Sequence, residues 1–255
     1  MSLEIHMFPC LTDNYGFLLH DAAAGVTAVI DTPDVKAINA ALKDKGWTLT
    51  DIFNTHHHAD HAGGNEALKA QWKCTITGAA NDAARIPGID RQVVDGERFA
   101  FGTTEAKVLA VPGHTTGHIA YYFESDKVAF VGDTIFALGC GRLFEGSPGQ
   151  MWDSLQKLMR LPDDTTLYCA HEYTQSNAKF ALSVEPDNAL LVARSKKIDE
   201  MRARGLPTVP MTLAEEKATN PFLRPDSAGL QKSLGLVGAP LVEVFAETRR
   251  RKDHF

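Results

Sequence analysis

The chain has 255 residues, 44% of them hydrophobic and 23% charged; this is enough for one large domain, or one domain with a small appendage, and excludes disorder over most of its length. Its formal net charge of −6 excludes nucleic-acid binding driven by overall charge. The first residues, Met1-Ser-Leu-Glu-Ile-His, show no signal-peptide pattern, and no apolar run approaches the ~18 residues of a membrane span, so the expectation is a cytoplasmic protein without a membrane partner.

In chain order, the first two-thirds is a series of strand-like runs separated by helical pieces. A β-branched run ends at Asp31, and a helix over Val35–Lys45 is expected to stop at Gly46. Asp51–Thr55 runs into a cluster of histidines. A helix over Asn65–Trp72 follows the Gly63-Gly64 pair. Strands are expected at Lys107–Val111, Ile119–Phe123, Val128–Val131 and Thr166–Ala170, with a helix over Trp152–Arg160 stopping before Pro162. After about Tyr173 the signals turn helical. Asn188–Arg204 is amphipathic, with Asp187 as its expected N-cap. Thr212-Leu-Ala-Glu215 fits a capping box, and Leu241–Lys252 ends in cations that suit the negative end of a helix dipole. The expected class is α/β (α+β): sheet layers covered by helices, then a small helical domain. The division is placed at 1–172 and 173–255. Cys10, Cys74, Cys140 and Cys169 match no zinc-ribbon or redox spacing and are expected to be reduced, buried thiols.

Residues 55–61 read Thr-His-His-His-Ala-Asp-His. Imidazole nitrogen and carboxylate oxygen are the usual ligands of zinc and its neighbours. Residues two apart on an extended segment point the same way, so His56 and His58 can reach one ion while His57 faces elsewhere. Asp60 and His61 can face a second ion. His114, Asp133 and His171 each directly follow a strand-like run, where a rigid strand positions the loop after it. Two metals with three protein ligands each and one shared carboxylate need seven residues, and the sequence supplies seven. His57 and His118 are expected to support the ligands by hydrogen bonding. His6, His20 and His254 are read as ordinary residues.

The pattern Thr-His-X-His-X-Asp-His, followed by Gly-His, Gly-Asp-Thr and a late His, resembles the metallo-β-lactamase superfamily. Asp13-Asn-Tyr15, Gly132-Asp-Thr-Ile-Phe136, Gly139-Cys-Gly-Arg142, His171-Glu-Tyr173, Asn220-Pro-Phe-Leu-Arg224 and Arg251-Lys-Asp253 together resemble the glyoxalase II (hydroxyacylglutathione hydrolase) family. The resemblance implies an αββα sandwich followed by a helical glutathione-binding domain. It implies a zinc-type binuclear centre, with iron or manganese as alternatives. His56, His58 and His114 would hold one ion, and Asp60, His61 and His171 the other, with Asp133 bridging. Asp60 and Asp133 would serve the metal-activated water. The implied reaction is hydrolysis of S-D-lactoylglutathione to glutathione and D-lactate, the second step of methylglyoxal detoxification. Glutathione would be held by Arg142, Phe144, Tyr173, Arg249 and Lys252. Family members often carry Lys and Tyr at the first two of these positions. Arg142 keeps the charge and offers two parallel hydrogen bonds to a carboxylate, whereas Phe144 lacks the hydroxyl.

Other readings are a persulfide dioxygenase, a lactonase or a β-lactamase of the same fold, or a non-catalytic metal- or glutathione-binding protein. The dioxygenase uses a single iron and lacks the long helical C-terminus. A non-catalytic relative would have lost ligands, and none is missing. No apolar surface stripe compels a dimer, so a monomer is expected.

Overall fold

The computed structural model describes residues 3–255. The chain begins with β1 (Glu4–Cys10), β2 (Asn14–Asp21), β3 (Val26–Ile30), α1 (Val35–Lys45), β4 (Asp51–Phe53), α2 (Ala59–Ala62), α3 (Asn65–Trp72) and β5 (Thr75–Ala79). It continues with β6 (Arg91–Val93), β7 (Arg98–Phe101), β8 (Thr104–Ala110), β9 (Ile119–Phe123) and β10 (Val128–Gly132). The remainder comprises β11 (Ile135–Phe136), β12 (Gly139–Cys140), α4 (Pro148–Met159), β13 (Thr166–Cys169), α5 (Thr174–Val184) and α6 (Ala189–Ala203), then β14 (Met211–Thr212), α7 (Leu213–Thr219), α8 (Ala228–Leu234) and α9 (Leu241–Asp253). Two compact units result: the stretch up to Ala110 with Thr116–Gly132, and Val111–Thr115 with Asp133–Phe255.

In the first unit, β1 to β6 form one sheet in sequence order. The β1–β2 and β2–β3 pairs are antiparallel, and the β3–β4, β4–β5 and β5–β6 pairs are parallel. A parallel pair needs a crossover, and α1 supplies the one between β3 and β4. Asp34 caps α1 by accepting from the Lys36 and Ala37 amides, and Gly46 ends it in the left-handed conformation. Its Ile38 and Leu42, with Leu68 of α3, pack against Leu18, Val29, Ile52 and Ile76 of the sheet. Strands β7 to β10 form an antiparallel ladder on the other side. Phe17 meets Phe130 at 5.6 Å between ring centroids, and Phe53 lies 5.3–5.4 Å from Phe99, Phe101 and Tyr121. Every residue of β9 and β10 is buried, so these strands read as unbroken apolar runs instead of alternating ones.

The second unit contains the β11–β12 hairpin, the antiparallel β13–β14 pair and helices α4 to α9. Helix α4 starts at Pro148, before the expected Trp152. Ser147 and Gln150 make a capping box, and proline at the first turn loses no hydrogen bond. The N-cap of α6 is Asn188, not Asp187 as expected: the Asn188 side chain accepts from the Leu191 amide. All four cysteines are buried free thiols, and burial pushes Cys10 and Cys169 up to about 12. No helix among the described residues is long and apolar enough to cross a membrane.

Candidate metal centre

Strand β4 delivers His56 and His58 at its end, and the short α2 carries Asp60 and His61. His114 follows β8, Asp133 follows β10 and His171 follows β13. Three groups of ligand-capable side chains result: His56, His58 and His114; His56, His61 and Asp133; and Asp60, His61 and His171. In each group one ligand atom per residue lies within 4.8 Å of the others. His56, His61, His114, Asp133 and His171 are buried.

Hydrogen bonds settle which ring nitrogens face the centre. The Asp31 carboxylate accepts from the Thr55 amide at 2.7 Å, from Thr55 Oγ1 at 2.8 Å and from His61 Nδ1 at 2.8 Å. An ionised carboxylate only accepts, so His61 carries its proton on Nδ1. Thr55 Oγ1 has given its one proton to Asp31, so it can only accept from His56 Nδ1, 3.0 Å away. His114 Nδ1 donates to the Arg142 carbonyl at 2.9 Å. In these three histidines Nε2 is therefore the lone-pair nitrogen. His58 turns Nδ1 toward His56 Nε2 at 3.0 Å. The two oxygens of Asp133 each face one imidazole: Oδ2 lies 3.4 Å from His114 Nε2, and Oδ1 lies 3.4 Å from His171 Nε2. Asp60 Oδ2 lies 3.4 Å from His61 Nε2 and accepts from Asn14 Nδ2 at 3.1 Å.

Converging lone pairs and carboxylate oxygens in a buried place are unfavourable among themselves and favourable around a cation. The donor set is nitrogen and oxygen, which suits divalent transition metals, and the tautomers of His56, His61 and His114 are already fixed by neighbours. The residues fit such ions.

Asp31 was not among the candidates read from the sequence, although an acid ending a β-branched run was visible. The missing signal was register. Ile30 pairs with Phe53 across the parallel β3–β4 ladder, which puts Asp31 beside Asn54 and Thr55. Asp31 has φ 57°, the left-handed region that aspartate and asparagine tolerate best among residues with a side chain. Asp31→Asn keeps shape and backbone and removes the charge that holds His61 Nδ1–H. Metal affinity, measured by chelator competition, is expected to fall ~10–100-fold; an unchanged affinity would show that Asp31 does not orient the histidines.

His57 turns away from the cluster, with Nδ1 3.0 Å from the buried Asp82, and His118 stacks on His56 at 4.7 Å. Both lie beside the ligand-capable residues, His57 through its contact with Asp82 and His118 through its ring contact with His56. Gly132 has φ 49°, and a Cβ there would lie 2.7 Å from Thr55 Oγ1 and 2.8 Å from His118 Cε1. Only glycine lets β10 pass this close to the histidine supports.

The residues expected to hold glutathione lie on one compact unit. Arg142 and Phe144 follow β12, Tyr173 opens α5, and Arg249 and Lys252 lie on α9. Phe144 is 63% exposed, with its ring 5.1 Å from that of His114. Tyr173 stacks parallel to His171 at 4.7 Å. Arg249 is buried: its guanidinium donates to the Cys140 carbonyl at 2.9 Å, pairs with Asp253 at 2.7 Å and lies over the Phe222 ring. Lys252 Nζ donates to Ser176 Oγ at 3.0 Å. Burial, then repulsion from Arg249 and Arg142, lowers the Lys252 pKa, so the three cations share one field.

Residues 25–171 match the family model described as the metallo-β-lactamase superfamily, and residues 172–255 match that of the hydroxyacylglutathione hydrolase C-terminus. The hydroxyacylglutathione hydrolase of Maricaulis maris is 54% identical over 99% of this chain and 99% of its own. That of Rhodospirillum rubrum is 55% identical over 100% of this chain and 99% of its own. Among solved structures, ETHE1 from Myxococcus xanthus superposes with a TM-score of 0.67 at 26% identity, covering 99% of this chain and 98% of its own. A mixed-sheet α/β fold, a cluster of histidines and aspartates at strand ends, and full-length similarity on this scale place the chain in the hydroxyacylglutathione hydrolase (glyoxalase II) family of the metallo-β-lactamase superfamily.

Proposed function

We propose that the chain is a metal-dependent thioester hydrolase that cleaves S-(2-hydroxyacyl)glutathione. S-D-lactoylglutathione would give glutathione and D-lactate, the second step of methylglyoxal detoxification. The observation that carries this reading is the buried set of histidines whose lone pairs are fixed inward by partners on their other ring nitrogens. His56, His58 and His114 would hold one ion, and Asp60, His61 and His171 a second. Asp133 would lie between them, consistent with its two oxygens facing different histidines. Zinc suits the donor set first, with iron and manganese as alternatives.

Bound ions of this kind supply Lewis acidity and lower the pKa of water from ~15.7 to about 7. The chain's own residues do the rest. Asp60 is fixed by the Asn14 amide and can orient the attacking water. The leaving thiol has a pKa of about 8.5, so it departs without a strong acid beside it. Glutathione carries a carboxylate at each end, and a chain of net charge −6 must meet them locally. Arg142 and Lys252 supply exposed and half-buried cations, with Arg249 adding its charge from the interior. Burial lowers the Lys252 pKa most and repulsion from Arg249 and Arg142 adds to it; a bound carboxylate would offset that repulsion. Phe144 and Tyr173 would line the peptide with apolar faces. In this division of labour residues 1–172 carry catalysis and 173–255 glutathione recognition, with Arg142 and Phe144 contributed from the first.

Purified protein is expected to release thiol rapidly from S-D-lactoylglutathione, followed with a thiol reagent. Chelation should abolish the release, and zinc or iron should restore it. Metal-replete protein that releases no thiol would discard this substrate and make persulfides and lactones the next compounds to test.

A further inference from the structure

The turn that joins Asp133 to Arg142 is held from outside itself. It comprises the two-residue strands β11 and β12, too short to fix its own shape, and its tip residue Leu138 has φ 59°. A leucine in the left-handed region is strained, because its Cβ crowds the following carbonyl. It persists only where the surroundings over-determine it. Four side chains from later in the chain provide those surroundings. Asn220 Nδ2 donates to the Phe136 carbonyl at 3.2 Å and to the Gly139 carbonyl at 2.9 Å. Asn177 Nδ2 donates to the Ala137 carbonyl at 3.1 Å. Glu216 Oε2 accepts from the Leu138 amide at 3.0 Å. Arg249 donates to the Cys140 carbonyl. Glu216 and Asn220 are fully buried and joined to each other at 2.9 Å, and Asn220 Oδ1 is fixed by the Phe222 amide at 3.0 Å.

A turn clamped at five consecutive residues transmits position to both its ends. At one end is Asp133, proposed above to lie between the two ions; at the other is Arg142, proposed to meet the glutathione carboxylate. Arg142 also returns its carbonyl to His114 Nδ1, so one displacement reaches a second proposed ligand. We infer that Asn220, supported by Glu216, is a positioning residue of this enzyme, which sets the metal-bridging carboxylate and the substrate-binding arginine together through the backbone of residues 136–140. The inference rests on the metal and glutathione assignments above. It gives the Asn220-Pro-Phe-Leu-Arg224 segment a task in the first chemical step, although Asn220 itself touches no reacting atom.

Asn220→Ala tests this, with Asn177→Ala as a milder variant that frees only the Ala137 carbonyl. Leu230→Ala, a buried site on α8 away from the turn, serves as a control for lost stability. In folded protein, Asn220→Ala is expected to weaken metal binding in a chelator competition by ~10-fold or more, and to raise KM for the thioester as well as lower kcat. Leu230→Ala should lower Tm and leave metal affinity and KM at wild-type values. Folded Asn220→Ala with wild-type metal affinity and KM, whatever its Tm, overturns the inference. If Asn220→Ala gives no folded protein, the same two quantities in Asn177→Ala decide it. Wild-type protein that binds no metal defeats the underlying assignment and this inference with it. Wild-type protein that binds metal but leaves the thioester intact defeats only the substrate reading, and the chelator competition still decides.

Discussion

Asp133→Ala is expected to reduce thioester hydrolysis by at least ~10³-fold and to lower the metal held per chain. A metal acting as a Lewis acid supplies several kcal/mol of transition-state stabilisation, and about 4 kcal/mol corresponds to roughly 10³-fold in rate. The two oxygens of Asp133 face imidazoles from different loops, those of His114 and His171. Removing it would take away the carboxylate proposed to be shared and leave the histidine lone pairs converging with less negative charge among them. His58→Ala should act in the same direction. Steady-state thiol release and elemental analysis of the same preparations check this, and full activity in a metal-depleted variant would remove the mechanism.

Arg194→Ala is expected to destabilise the second unit by about 3–5 kcal/mol, the usual cost of breaking a buried ion pair from one side. The Arg194 guanidinium contacts the Glu216 carboxylate directly and donates to Thr219 Oγ1 at 2.7 Å. Glu216 has no exposure, so its charge would remain in the interior without its partner. On a marginal total stability of roughly 5–15 kcal/mol, that loss is large. It should appear as a lower urea midpoint. Replacing both members with apolar residues of similar volume should recover most of the stability, because a buried pair gains little over good packing. The double replacement would still deprive the Leu138 amide of its acceptor. A single variant that unfolds at the wild-type urea concentration would show that Glu216 is neutralised by other means.

The separation between sequence and structure follows the range of the interactions. Local signals were readable: Asp34 and Gly46 bound α1, and the histidine cluster at the end of β4 needs only neighbours in sequence. Asp31 was not readable as a support, because its role depends on the parallel pairing of β3 with β4. The capping box that starts α4 at Pro148 is local, but the apolar periodicity that marks a helix begins only at Trp152, one turn later. Asp187 and Asn188 are adjacent residues of similar capping strength, and only side-chain geometry, with Asn188 accepting from the Leu191 amide, separates them as the cap of α6. The C-terminal cations were legible as a group. The difference between buried Arg249 and its exposed neighbour Arg250 depends on which face of α9 meets the β12 turn.

The clamp on residues 136–140 also bears on how such chains can be recombined. The seam between the two family models lies at residues 171 and 172, inside the second compact unit. Asn177, Glu216, Asn220 and Arg249 all lie beyond that seam, yet their partners lie before it. A graft that joins this chain's first segment to a foreign C-terminal segment would therefore exchange the mould of the turn from Asp133 to Arg142 along with the C-terminal helices. The two segments have to be inherited as a matched pair, and drift in the turn is constrained by residues as many as 109 positions away.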